Sequence, residues 1–185
     1  DNYQKAVLAF IRGFAAGREN REETKNYLDK LINIQNHGFS GNFFQRSEQL
    51  KIWVLEIKAA ILLSKMKYEQ AVELMKKATI IEIDLPIPSG PPRIIKPTFE
   101  FLGEIHLMAG NGLEASQQFA IALSRHPNRS RSLIGAARAA VLMNDFVQAI
   151  KIYKKFLALW EHADPDLSEI NEAKSFLKKL RVNDM

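Results

Sequence analysis

Apolar residues recur at three- and four-residue intervals along nearly the whole of this 185-residue chain, the spacing of an amphipathic helix. Ala6, Val7, Phe10, Ile11 and Phe14 predict a first helix over about 2–17, with Gly17 at its end. Asn20 followed by Glu23 reads as a capping box opening a second helix over about 21–36, which buries Tyr27, Leu28 and Leu31 and closes at His37-Gly38. Phe39, Phe43 and Phe44 mark an aromatic turn. A third helix over about 45–65 carries Leu50, Trp53, Ile57, Ala60 and Ile61, and a fourth over about 68–82 carries Ala71, Val72, Leu74, Met75 and Ala78. The β-branched run Thr79–Ile83 ends that helical segment, and strand-like alternation is sparse elsewhere.

The pattern breaks once. Between Asp84 and Pro97, five prolines and a glycine crowd together, which excludes a helix interior. Pro97 suits the first turn of the next helix. Regular periodicity then resumes, with helices predicted near 97–109, 112–125, 130–143, 146–161 and 167–181. Gly110-Asn-Gly112, Asn144-Asp145, Pro127 and Pro165 supply the turns.

The second half repeats itself. The interval from Ala115 to Ala149 is the same as that from Phe119 to Tyr153, and it is the length of a helix–turn–helix unit of about 34 residues. Phe99, Leu102, Gly103, His106, Ala115, Phe119, Ala122 and Pro127 fall in the order of small and large positions of such a unit. Leu55, Ala59, Leu62, Ala71, Met75 and Ala78 give an earlier copy, displaced by a ten-residue insertion in the Pro-rich segment. On these residues the chain resembles the tetratricopeptide repeat family over about 50–163. It is similar to uncharacterised members in its Gly90-Pro-Pro, Lys96-Pro97, Gly103-Glu104 and Pro127-Asn-Arg129 elements.

The resemblance implies an all-α, right-handed superhelical array of antiparallel helix pairs, an α-solenoid of about nine helices in one domain. Its units are 45–83, 97–127 and 131–161, with 84–96 as an inserted loop, 1–40 as a degenerate pair and 167–181 as a capping helix. Ala136-Ala137 and Phe156 depart from the pattern in the last unit. The resemblance also implies a concave groove lined by Trp53, Glu56, Glu100, Glu104, Met108, Arg131, Ile134 and Arg138. Its function would be non-catalytic binding of a protein or peptide segment. The acids of this groove could serve a ligand, or Glu100 and Glu104 could pair with Arg131 and Arg138. Glu56, Ala60, Glu104, Arg131 and Gly135 stand where chaperone-binding members carry carboxylate-gripping residues, and Arg131 alone is compatible, so no such clamp is expected. An oligomeric structural module, or an accessory part of a larger enzyme, are the other readings.

Composition changes this picture little. Net charge is +5, but residues 1–90 hold 13 Lys/Arg against 11 Asp/Glu and residues 91–185 hold 13 against 10, so the excess is dispersed and a dedicated nucleic-acid binder is not expected. The acid-free stretch between Glu114 and Asp145 contains Arg125, His126, Arg129, Arg131 and Arg138, which could meet an acidic partner or satisfy helix ends. Cysteine is absent, which excludes disulfides and thiolate chemistry. His37, His106, His126 and His162 share no ligand spacing, and His106 reads as a core residue. Phosphate loops, nucleophile elbows and dinucleotide fingerprints are missing, so no catalytic residue, metal or cofactor is expected. Asn128-Arg-Ser130 is formally a glycosylation acceptor. No apolar run is long enough to span a bilayer. The chain begins with Asp1, which points to processing or trimming; a cytoplasmic setting is expected, with export open. Ile87, Ile94 and Ile95 of the Pro-rich segment either pack on neighbouring helices or meet a partner.

Overall fold

The structure, a computed structural model, describes residues 2–37, 44–86 and 95–183. Every regular element among them is helical: α1 (Asn2–Arg18), α2 (Thr24–His37), α3 (Phe44–Ser64), α4 (Tyr68–Asp84), α5 (Thr98–Met108), α6 (Gly112–Arg125), α7 (Ser130–Leu142), α8 (Phe146–Leu159) and α9 (Ser168–Asn183). The helices expected from periodicity all form, with small shifts at their ends. The turn at 39–43 and residues 87–94, including Ile87 and Ile94, lie outside the described residues. Ile95 is more than a third exposed.

The chain divides into two compact units, residues 1–105 and 106–185. In the first, α1 packs on α2 and α3, and α3 also packs on α2 and α4. This central position explains why α3 is apolar on nearly every face, with Leu50, Ile52, Trp53, Val54, Ile57, Ala59, Ala60 and Leu63 all buried. Phe10 stacks on Trp53 at 5.0 Å between ring centroids, and Phe14 meets Phe101 edge-on at 4.9 Å. Each such large side chain contributes roughly 1.5–3 kcal/mol by leaving water. The stripe of α1 differs from expectation: Ala6, Phe10, Gly13 and Gly17 face inward, while Ile11 is exposed. Gly17 does not end the helix. A Cβ there would sit 3.4 Å from both Ala60 Cβ and Thr24 Cγ2, so its smallness serves close helix approach.

In the second unit α7 packs on α6 and α8, and α8 on α9. Phe119 of α6 lies against Gly135 of α7, where a Cβ would come within 2.3 Å of the ring. Tyr153 and Phe156 of α8 pack with Ile170 and Ala173 of α9.

The turns repeat in atomic detail. After α3, Lys67 N–H donates to the Leu62 carbonyl (2.9 Å) and Met66 N–H to Leu63 (3.0 Å). After α5, Asn111 N–H donates to His106 (2.9 Å) and Gly110 N–H to Leu107 (3.1 Å). After α7, Asp145 N–H donates to Ala140 (2.9 Å) and Asn144 N–H to Val141 (3.0 Å). Met66, Gly110 and Asn144 all take the left-handed conformation, with φ of 57°, 80° and 60°, the C-terminal stop that satisfies carbonyls left over by the helix. The next helix then begins with Ala71, Ala115 and Ala149 N–H donating to Lys67, Asn111 and Asp145 carbonyls. The α1–α2 turn shares only the first half of this geometry. Asn20 is left-handed (φ 52°) and Arg21 N–H donates to Ala16. Asn20 is therefore a stop for α1 and not the expected N-cap of α2, which starts later than expected, at Thr24.

Candidate functional site

Four residues expected on the groove, Trp53, Glu56, Glu100 and Glu104, belong to the first unit. The structure does not leave them on an open surface. Trp53, Glu56 and Glu100 are fully buried, and Glu104 is partly so. They join a charged cluster to which α1, α3, α4 and α5 each contribute. Lys96, just before α5, donates to Glu100 Oε1 (2.9 Å) and Glu104 Oε1 (2.6 Å). Arg18, the last residue of α1, donates to Glu104 Oε2 (2.9 Å). Glu82, buried near the end of α4, accepts from the Thr98 backbone N–H at 2.7 Å and so caps the start of α5, where a carboxylate is favoured. The i, i+4, i+8 spacing of Lys96, Glu100 and Glu104 is a readable signal for this cluster. Arg18 and Glu82 give none, because their partners come from distant helices.

Glu56 has no cation of its own in the cluster. Among the described residues, neither of its carboxyl oxygens finds a hydrogen-bond partner, and the same is true of Trp53 Nε1 and Thr98 Oγ1. Burial first, opposed by Lys96 and reinforced by Glu82, Glu100 and Glu104, holds the Glu56 carboxyl well above the ordinary carboxylate range. No three His, Asp or Glu side chains among the described residues form a group able to hold a metal ion. The cluster is built to hold helices together from inside.

The other four expected residues, Met108, Arg131, Ile134 and Arg138, belong to the second unit. Met108 is half exposed at the end of α5. Arg138 lies on α7. Its guanidinium grips Glu172 of α9 through Nε (3.0 Å to Oε1) and Nη2 (2.6 Å to Oε2), and Tyr153 donates to the same carboxylate at 2.8 Å. The hydrogen bond to Glu172 raises the Arg138 pKa, and burial with that same bond pushes the Tyr153 phenol above its ordinary value. Glu104, Arg138 and Glu172 follow one another at the repeat interval. The arginine therefore reaches forward by one such interval, to Glu172. Glu172 gives no signal of this role, because the last helix reads only as a cap.

Arg131 and Ile134 line a cleft of about 150 Å³ together with Ser130, Phe156, Trp160, Leu167 and Glu169. Ile134 and Phe156 are buried and form its floor, while Arg131 stands exposed at its mouth. Phe156 stacks on Trp160 at 5.8 Å. The large side chain at 156 thus borders a cavity. Arg125, His126 and Arg129, from the acid-free stretch, all have interaction partners in the molecule.

No helix among the described residues is long and apolar enough to cross a membrane. Compared with protein-family models, with curated proteins and with solved structures, the chain gives no match.

Proposed function

We propose that this chain is a tetratricopeptide-like array of helix pairs that binds a protein or peptide segment without catalysis. The observation that carries this reading is the recurrence of one turn geometry, whose left-handed residue stands at 66, 110 and 144. The second of these intervals is one helical repeat of about 34 residues, and the first is longer by the ten-residue insertion. The contact of Phe119 with Gly135 supports the reading further, since aromatic-on-small packing joins successive helices in such arrays. The binding face of the reading lies on the second unit, around Met108, Arg131, Ile134 and Arg138. Of the corresponding residues of the first unit, Trp53, Glu56 and Glu100 are buried and Glu104 is partly so.

Selection of a random peptide library on the immobilised chain tests this reading. Selected peptides should lose at least tenfold in affinity on an Arg131→Ala, Arg138→Ala double variant that keeps its helical circular dichroism. Peptides that bind both proteins equally would remove the assignment of the face.

A second reading, self-association of the second unit, is favoured by Phe146 and Val147, which are 42% and 82% exposed where α8 begins. Sedimentation as a monomer at high concentration, unchanged by Val147→Lys, would eliminate it.

A further inference from the structure

We propose that the cleft between α7, α8 and the start of α9 accepts one aromatic side chain of the bound segment. The inference rests on the segment-binding reading and adds the chemistry of one anchor. Size, lining and charge each lead to it.

A volume of about 150 Å³ matches the cavity in which an apolar protein interior takes up a single benzene ring. A methyl group would leave such a space largely unfilled, and an indole would overfill it.

The floor and walls are Ile134, Phe156, Trp160 and Leu167, with Phe156 and Trp160 already stacked at 19°. An incoming ring beside them gains offset or edge contacts beyond simple area burial. Phe156 and Ile134 belong to the same buried cluster as Ile170 and Ala173 of α9. The cleft is therefore preformed, which lowers the ordering cost of binding.

At the mouth, Arg131 is exposed and Glu169 stands beside it, its carboxyl lowered by the Ser168 hydroxyl, which donates to it at 2.8 Å. Charges of both signs flank an apolar hole. They set which residues neighbour the anchor: an acid toward Arg131 and a base toward Glu169.

The test uses N-acetylphenylalaninamide as the probe, with N-acetylalaninamide as its control, and follows the methyl resonances of Ile134 and Leu167 together with Trp160 emission. Saturable shifts are expected with the phenylalanine probe alone. They should disappear in Ile134→Phe, which fills the floor, and in Leu167→Phe, which narrows the wall; the second variant serves if the first does not fold. Three results overturn the proposal: no saturable shift in the natural protein, shifts that persist in a folded filled variant, or free phenylalanine binding at least tenfold more tightly than the blocked amide. The last would assign the cleft to a free amino acid. Because the probe reports on the cleft without any partner, its failure leaves the peptide-library result standing, and the reverse holds too.

Discussion

Two positions 34 residues apart, one in each unit, carry charge in opposite ways. Glu104 in the first unit is bound by Lys96 and Arg18 within a cluster that also buries Glu56, Glu82 and Glu100. Arg138, 34 residues later, meets Glu172 at the surface, with side chains 46% and 31% exposed. Charge separated from water is costly unless paired and hydrogen-bonded, so removing one partner from the first cluster is strongly destabilising. Charge still in water contributes little to folding and remains available to a partner. Spacing along the chain therefore does not decide the role of a residue; what packs over it does.

The largest expected effect breaks the buried side of this comparison. Lys96→Met removes the one ammonium shared by Glu100 and Glu104 and should cost about 3–5 kcal/mol in urea unfolding. Arg138→Met should cost less than about 1 kcal/mol in the same assay. Equal losses would contradict the contrast.

Glycine substitutions come next. In the second unit a Gly135→Ala Cβ meets the Phe119 ring at 2.3 Å, whereas in the first a Gly13→Ala Cβ meets the end of the Ile57 side chain at 2.8 Å and Tyr27 Cβ at 3.0 Å. A ring locked in the core cannot yield as a flexible methyl can. Gly135→Ala should therefore destabilise by about 1–3 kcal/mol, more than Gly13→Ala, and Phe119→Leu should recover part of the loss in the double variant.

Glu56 sharpens the comparison in the other direction. Its carboxyl is buried without a hydrogen-bond partner, so Glu56→Met should stabilise the protein, by about 1–3 kcal/mol at neutral pH. The sign with pH follows from the raised folded pKa. The stability associated with this group is fully present below the ordinary carboxylate range and is lost as pH rises from there through the folded value. The advantage of Glu56→Met should thus grow with pH across that window and shrink below it. An advantage independent of pH would mean that the folded Glu56 pKa is not raised, and one that shrinks as pH rises would mean that Glu56 is paired.

The smallest effect concerns the surface bridge. A double-mutant cycle on Arg138 and Glu172 should give a coupling of roughly 0.2–1 kcal/mol, reduced by salt. A coupling that persists in high salt would place this pair with the buried cluster instead.

Helix positions and turn phase were legible because they are local. Periodicity places Phe10, Leu31, Met75 and Phe119 inward, and glycine or asparagine after α5 and α7 announces the left-handed stops. Met66, in the same conformation, carries no such mark. The candidate site was legible only in part. Repeat phase gave Arg131 and Ile134, two linings of the cleft, but it could not foresee that α3 would be enclosed by α1, α2 and α4, which buries Trp53 and Glu56. Nor could it foresee Glu82 capping α5 or Glu172 receiving Arg138. Each of these depends on the packing of helices separated in sequence, which a residue pattern does not encode.

Capture of partners from an extract of the native organism on three immobilised proteins tests the binding face most directly. These are the natural chain, an Arg131→Glu, Arg138→Glu variant of the second unit, and an Arg21→Glu variant on the exposed surface of the first. At least one protein should be retained equally by the natural chain and Arg21→Glu, and at least tenfold less by the double variant, with all three folded. Equal retention by all three would contradict the account.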